Sequence, residues 1–231
     1  MVRPQAVLFD ALGTLVALEA PGPPLRAGLA ARAGVEVSAQ EADIALAAEI
    51  AYYRAHLDEG RDRESLARLR RRCAERLRAA LPAGARAIEI DLLEAILLDA
   101  LQFRAFDDAR AALEEVRRLP ARAIVVSNWD VSLEDVLARL GLAPLLDGVL
   151  SSASAGARKP SPAIFAQALE LAGTSPERAV HVGDSVEEDV RGARRAGIAP
   201  LLVRRDGRPG PPGVRTISGL DGLRRSLSPV I

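Results

Sequence analysis

With 231 residues, 49% of them hydrophobic, the chain is longer than an average domain and has ample apolar content for a packed core plus an inserted module. Its 31 basic and 31 acidic residues cancel, so no global field favours nucleic acid or an anionic membrane surface. A lone cysteine, Cys73, excludes an internal disulfide, and no run approaches the roughly 18 apolar residues of a membrane span.

The N-terminal residues pass almost directly into a strand pattern, without a basic stretch and apolar core of signal type, so a protein of the reduced cytoplasm is expected. Residues 5–9 read as a buried strand from their short apolar run, which breaks at Asp10 into the loop Ala11-Leu12-Gly13-Thr14. A carboxylate at the carboxyl end of a strand in an open α/β sheet stands where such folds build their sites, and it can serve as a nucleophile. The same Asp can also simply cap a turn.

Pro21-Gly22-Pro23-Pro24 is expected to prevent regular structure and act as a linker. From Leu25 to about Leu101 the pattern is helical throughout. Ser38 with Glu41 makes a capping box for a helix reaching about Leu57, and Leu66, Leu69, Cys73 and Leu77 recur along a helix from Glu64 to Leu81. Cys73 is therefore expected to pack within that helix, and the arginines at 68, 70, 71, 72, 76 and 78 to form its solvated surface. The segment, roughly 80 residues, is large enough for a small bundle.

From Asp107 the rhythm alternates, with helices expected at 107–118, 132–140, 161–172 and 186–196 and strands at 123–127, 148–151, 179–183 and 198–203. Beyond the Pro/Gly-rich loop at 207–213, Val214 to Ile217 and Leu220 to Leu227 are expected to add an edge strand and a last helix. The expected fold is α/β: a doubly wound, Rossmann-like parallel sheet at residues 1–16 and 105–231, with an all-helical cap inserted at 17–104.

Lys159 is the one lysine among the 31 basic residues; all the others are arginines. A compact ammonium fits between two oxygen atoms where a planar guanidinium fork does not, so the exception invites a chemical reason, the competing reading being chance in an arginine-biased composition. In order along the chain, Val7 to Leu15, Ala123 to Asn128, Arg158-Lys159-Pro160 and Val180 to Asp189 resemble the four motifs of the haloacid dehalogenase (HAD) superfamily of hydrolases. The resemblance covers nearly the whole chain and is least specific between residues 16 and 105.

The resemblance implies that Asp10 is the nucleophile, that Ser127 binds the transferring group and that Lys159 bridges the two. It further implies Mg²⁺ held by Asp10, Asp184 and the main-chain carbonyl of Leu12, with Asp189 ordering the loop or reaching the metal through water. Thr14 is expected to orient Asp10 by hydrogen bonding, Asn128 to donate its amide to the substrate, and Gly13 to adopt a conformation other residues resist. His181, inside a strand pattern, reads as a satisfied core histidine.

Phosphatases of the family usually read Asp-x-Asp in the first motif, the second Asp serving as general acid and base, and here that place is Leu12. Losing such help costs on the order of 10²- to 10⁴-fold for a step that needs it, so substrates with good leaving groups are expected. Asp130, or the helix cluster of Tyr52 and His56, are candidate substitute acids; cap packing is the competing reading of the latter. The functional expectation is a Mg²⁺-dependent phosphatase acting on a small phosphorylated metabolite, with no nucleic-acid or membrane partner. The alternatives are a 2-haloacid dehalogenase, a branch that also lacks the second Asp but needs no metal, and a protein that binds a phosphorylated ligand with little turnover.

Overall fold

The computed structural model describes residues 4–227. The chain divides into two compact units, Met1–Ala17 with Arg104–Ile231, and Leu18–Phe103. In chain order, β1 (Ala6–Phe9) and β2 (Val16–Leu18) precede the helices α1 (Gly22–Ala33), α2 (Ala39–His56), α3 (Arg63–Ala80) and α4 (Ile90–Ala100). Next come β3 (Phe103–Ala105), α5 (Ala109–Arg117), β4 (Arg122–Ser127), α6 (Leu133–Arg139), β5 (Gly148–Ser151), α7 (Ser152–Ala155) and α8 (Pro162–Ala172). The chain continues through β6 (Ala179–Gly183), a π-helical turn (Val186–Arg191) running into α9 (Gly192–Arg195), then β7 (Ala199–Val203), β8 (Thr216–Ile217) and α10 (Leu223–Leu227).

Six strands form one sheet in the order β5-β4-β1-β6-β7-β8, and every pairing is parallel. β1 is AVLF with all residues buried, the continuous apolar run of a strand covered on both faces. Ala6 and Leu8 point to the face where Ile124 and Val126 meet Ile164, Phe165 and Ala168 of α8. The chain builds outward from β1 to β4 and β5, then crosses back to β6, β7 and β8. The carboxyl end of β1 is therefore the topological switch point, the place where an open α/β sheet leaves a crevice.

β2 and β3, which the sequence pattern did not reveal, pair in a separate two-stranded sheet. At three and three residues they are too short to show a period.

In the helical unit, α1 packs on α2 and α4, and α3 on α2 and α4, closing a four-helix ring. Leu66, Leu69, Cys73 and Leu77 all face its interior, at 0–6% exposure. Ser38 Oγ accepts from Glu41 N while the Glu41 side chain accepts from Ser38 N, the capping box that the sequence predicts. One expectation needs correcting: Pro21-Gly22-Pro23-Pro24 is not a linker, since α1 begins at Gly22. A proline in the first turn loses no intrahelical bond, because its missing N–H would have been an orphan there.

The sheet centre and the helix surface should answer differently to truncation. Leu8→Ala, at a fully buried β1 position, should lower the unfolding free energy by about 2–5 kcal/mol in urea titrations. Ile44→Ala on exposed α2 surface should change it by no more than about 0.5 kcal/mol. Equal effects would contradict the placement of the core.

Candidate active site

Phe9 lies opposite Val125 on one side and Val182 on the other. One residue further, Asp10 leaves the sheet, its N–H still bonded to the Val182 carbonyl at 2.8 Å. The same register brings Ser127, the last residue of β4, and Asp184, the residue after β6, to either side of Asp10. Three residues far apart in sequence thus converge because the parallel register brings the carboxyl ends of β4, β1 and β6 together.

Lys159 enters from the turn before α8 and is 1% exposed. Its Nζ donates to Asp10 Oδ1 at 2.6 Å and to Asp189 Oδ1 at 2.5 Å. Ser127 Oγ donates to Asp10 Oδ1 at 2.9 Å. Asp189 Oδ2 accepts from Ser185 N at 2.9 Å, so the carboxylate closes the π-helical turn onto the loop that carries Asp184. Carboxylate oxygens of Asp10, Asp184 and Asp189 all lie within 4.8 Å of one another.

Three acids against one lysine leave excess negative charge in a mostly dry place. Burial, then the Asp10 and Asp189 charges, push Asp184 up to about 7, and Lys159 offsets only part of this. Burial, aided by Asp189, also holds Asp10 above the ordinary carboxylate range against the pull of Lys159. Burial alone would raise Asp189, but the Lys159 charge and the His181 hydrogen bond override it and hold this acid low. Burial would likewise lower Lys159, yet Asp10 and Asp189 raise it above its ordinary value. Oxygen donors with uncompensated charge suit a hard divalent cation, and the carboxylates of Asp10, Asp184 and Asp189 are close enough together to hold one.

Several side chains take contacts other than those expected of them. Thr14 is fully buried, but its Oγ1 has no hydrogen-bond partner among the described residues, and the bond expected from it to Asp10 comes from Ser127 instead. Both polar atoms of the Asn128 amide hold the Lys159 backbone, Nδ2 donating to O at 3.0 Å and Oδ1 accepting from N at 2.8 Å, rather than being presented to a substrate. The strand end therefore sets the lysine as well as the serine. Asp130 is 3% exposed and accepts from Ser132 N at 2.7 Å, a local turn that opens α6. In the helical unit the Tyr52 and His56 rings stack at 4.0 Å, with Arg76 4.9 Å from the Tyr52 centroid.

Gly13 has φ 88°, and a Cβ there would overlap the Asp184 carboxylate. Glycine is required at that position by both conformation and space. His181 is the residue that sequence reasoning undervalued: its Nε2 lies 2.8 Å from Asp189 Oδ1, while Nδ1 is buried without a partner among the described residues. It belongs to the charged network, and its apolar strand context carries no signal of this.

The pattern of the family described as haloacid dehalogenase-like hydrolase matches residues 4–197. The chain is 42% identical over 101 residues to haloacid dehalogenase-like hydrolase domain-containing protein 3 of Bos taurus, covering 44% of this chain and 40% of that one. It is 37% identical over 123 residues to a phosphoserine phosphatase of Thermus thermophilus, covering 53% and 49%. The chain thus spans about half or less of these relatives' lengths. A 2-haloacid dehalogenase from Pseudomonas syringae pv. tomato shares the fold with a TM-score of 0.68 at 23% identity, over 97% of this chain and 98% of that chain.

A cation bound among these acids would compete with a proton on Asp184. Below about pH 7 the apparent affinity should fall by up to about tenfold per pH unit, since the ligand must be deprotonated. Without cation, this raised acid stabilises the fold as pH drops from about 7 toward its unfolded value. The Mg²⁺-induced rise in melting temperature should therefore be larger at pH 8 than at pH 6, and should be lost in Asp184→Asn. Equal shifts at both pH values in the wild type would count against this site.

Proposed function

The chain belongs to the haloacid dehalogenase-like hydrolase family, and on that premise we propose that it is a Mg²⁺-dependent phosphatase of a small phosphorylated metabolite with a good leaving group. The observation that carries this reading is Asp184, a third carboxylate drawn up to about 7 beside Asp10 and Asp189. A metal-free dehalogenase has no use for that surplus charge, whereas a magnesium site does. The phosphoserine phosphatase relative supports the same choice.

Asp10, as carboxylate, forms a bond from its oxygen to phosphorus while the bond to the leaving oxygen breaks, and the electron pair departs with that oxygen. Water then adds to phosphorus, the aspartyl oxygen leaves with its electron pair, and inorganic phosphate is released with a proton passing to solvent. Lys159 offsets the repulsion between Asp10 and the anionic substrate, and Asn128 holds Lys159 by its backbone. Ser127, already on Asp10, is placed to donate to a phosphoryl oxygen. Bound Mg²⁺ would draw negative charge from the phosphoryl oxygens, held by Asp10, Asp184 and the Leu12 carbonyl. The Leu12 side chain, in the acid's usual place, leaves the departing oxygen unprotonated, which favours acyl and aryl phosphates over alkyl esters.

Hydrolysis of p-nitrophenyl phosphate and acetyl phosphate should require Mg²⁺, stop in EDTA and be abolished in Asp10→Asn. Lys159→Met should lower kcat by about 10²-fold or more. Glycerol phosphate should be turned over far more slowly than either. Metal-independent halide release from 2-chloropropionate would overturn the proposal in favour of the dehalogenase.

A further inference from the structure

The turn that follows Asp10 closes on itself. The Ala11 carbonyl accepts from the N–H groups of Thr14, Leu15 and Val16 at 3.2, 2.9 and 2.8 Å, and Gly13 N donates to the Val16 carbonyl at 2.8 Å. The carbonyls of Gly13 and Thr14 are held from elsewhere, by one side chain. Arg205, in the turn after β7, donates from Nε to Gly13 O at 3.3 Å and from Nη2 to Thr14 O at 2.7 Å.

Arg205 is itself fixed on three sides. Its guanidinium makes a two-pronged pair with Asp108, Nη2 to Oδ1 at 2.8 Å and Nη1 to Oδ2 at 3.0 Å, with both side chains mostly buried. It lies 3.6 Å from the centroid of the Phe106 ring, a cation–π contact. Asp108 in turn accepts from Leu220 N at 2.8 Å, and Phe106 N donates to Leu15 O at 3.0 Å. A segment from the far end of the sequence and the segment entering α5 therefore grip the same turn.

What that turn spaces is chemically decisive. Gly13 is backed against the Asp184 carboxylate with no room for a Cβ, and its peptide nitrogen adjoins the Leu12 carbonyl. We propose that Arg205 is a positioning residue of the active site, clamping the Gly13–Thr14 peptide so that Asp10, the Leu12 carbonyl and Asp184 keep the spacing that a divalent cation and an attacking carboxylate require. The inference rests on the metal-dependent reading above and deepens it. Arginine is needed because one planar fork meets a carboxylate, two carbonyls and a ring at once, which a lysine point charge does not.

The test compares the wild-type 231-residue chain with Arg205→Ala, Arg205→Lys and Asp108→Asn in p-nitrophenyl phosphate kinetics, Mn²⁺ titration by electron paramagnetic resonance, and melting temperature. In Arg205→Ala, kcat should fall by about 10²-fold with KM for the ester within about threefold, since a displaced nucleophile loses rate more than binding. Mn²⁺ affinity should fall by about 10- to 100-fold, as it does when groups that orient metal ligands are removed. Arg205→Lys and Asp108→Asn should lie between that variant and wild type, and they carry the test if the alanine variant does not fold. A folded variant with Mn²⁺ affinity and kcat within twofold of wild type, or with a change only in melting temperature, would overturn the proposal. If the wild type itself lacks Mg²⁺-dependent turnover, the phosphatase reading fails, while the Mn²⁺ titration still decides the role of Arg205.

Discussion

One buried ammonium between two buried carboxylates organises this molecule. Lys159 has no solvent around it, and only Asp10 and Asp189 at hydrogen-bond distance make its charge tolerable. Breaking a buried pair from one side leaves an uncompensated charge and costs about 3–5 kcal/mol. The arrangement persists because every member has further support: Asn128 on the lysine backbone, Ser127 on Asp10, His181 and the Ser185 N–H on Asp189. The fold commits stability to holding these charges in place.

The lysine does not neutralise the cluster, and that deficit is its chemical content. With Asp189 held low, Asp184 ionises against the charges of both Asp10 and Asp189 and, being buried as well, is driven up to about 7. A phosphate monoester would add further negative charge to the same place. A divalent cation would resolve both conflicts, which is the reason for proposing metal-dependent phosphoryl transfer over displacement of halide by a lone carboxylate. On the proposed reading Leu12 limits the substrates to those with good leaving groups, since the place from which a leaving group would be protonated is aliphatic.

Much of this was legible in the sequence, for definite reasons. Apolar runs ending in Asp10, Ser127 and Gly183-Asp184 are strand ends, and strand ends in a parallel sheet meet; the lone lysine then marks itself against a background of arginine. Ser38 and Glu41 announced a helix start because capping is a local interaction. Pro21-Gly22-Pro23-Pro24 misled because proline breaks helices in their interior and begins them at the first turn, and only the boundary distinguishes the two. The Asn128 amide holds the Lys159 backbone and Thr14 Oγ1 meets no partner among the described residues, where a substrate contact and a bond to Asp10 were expected, since a strand end does not dictate a rotamer. Arg205 was invisible, because its partners lie far away along the chain and no spacing records such contacts; His181 was read as a core histidine, and its apolar strand gave no sign of its bond to Asp189.

The central claim is that Asp10 becomes covalently phosphorylated. The most direct measurement is a rapid-quench reaction of the Mg²⁺-loaded protein with acetyl phosphate, followed by acid digestion and mass spectrometry of the peptide that contains Asp10. We expect a phosphoryl group on Asp10 that rises before free phosphate and decays as phosphate is released. Phosphate appearing with Asp10 unmodified at every time point would contradict the covalent mechanism.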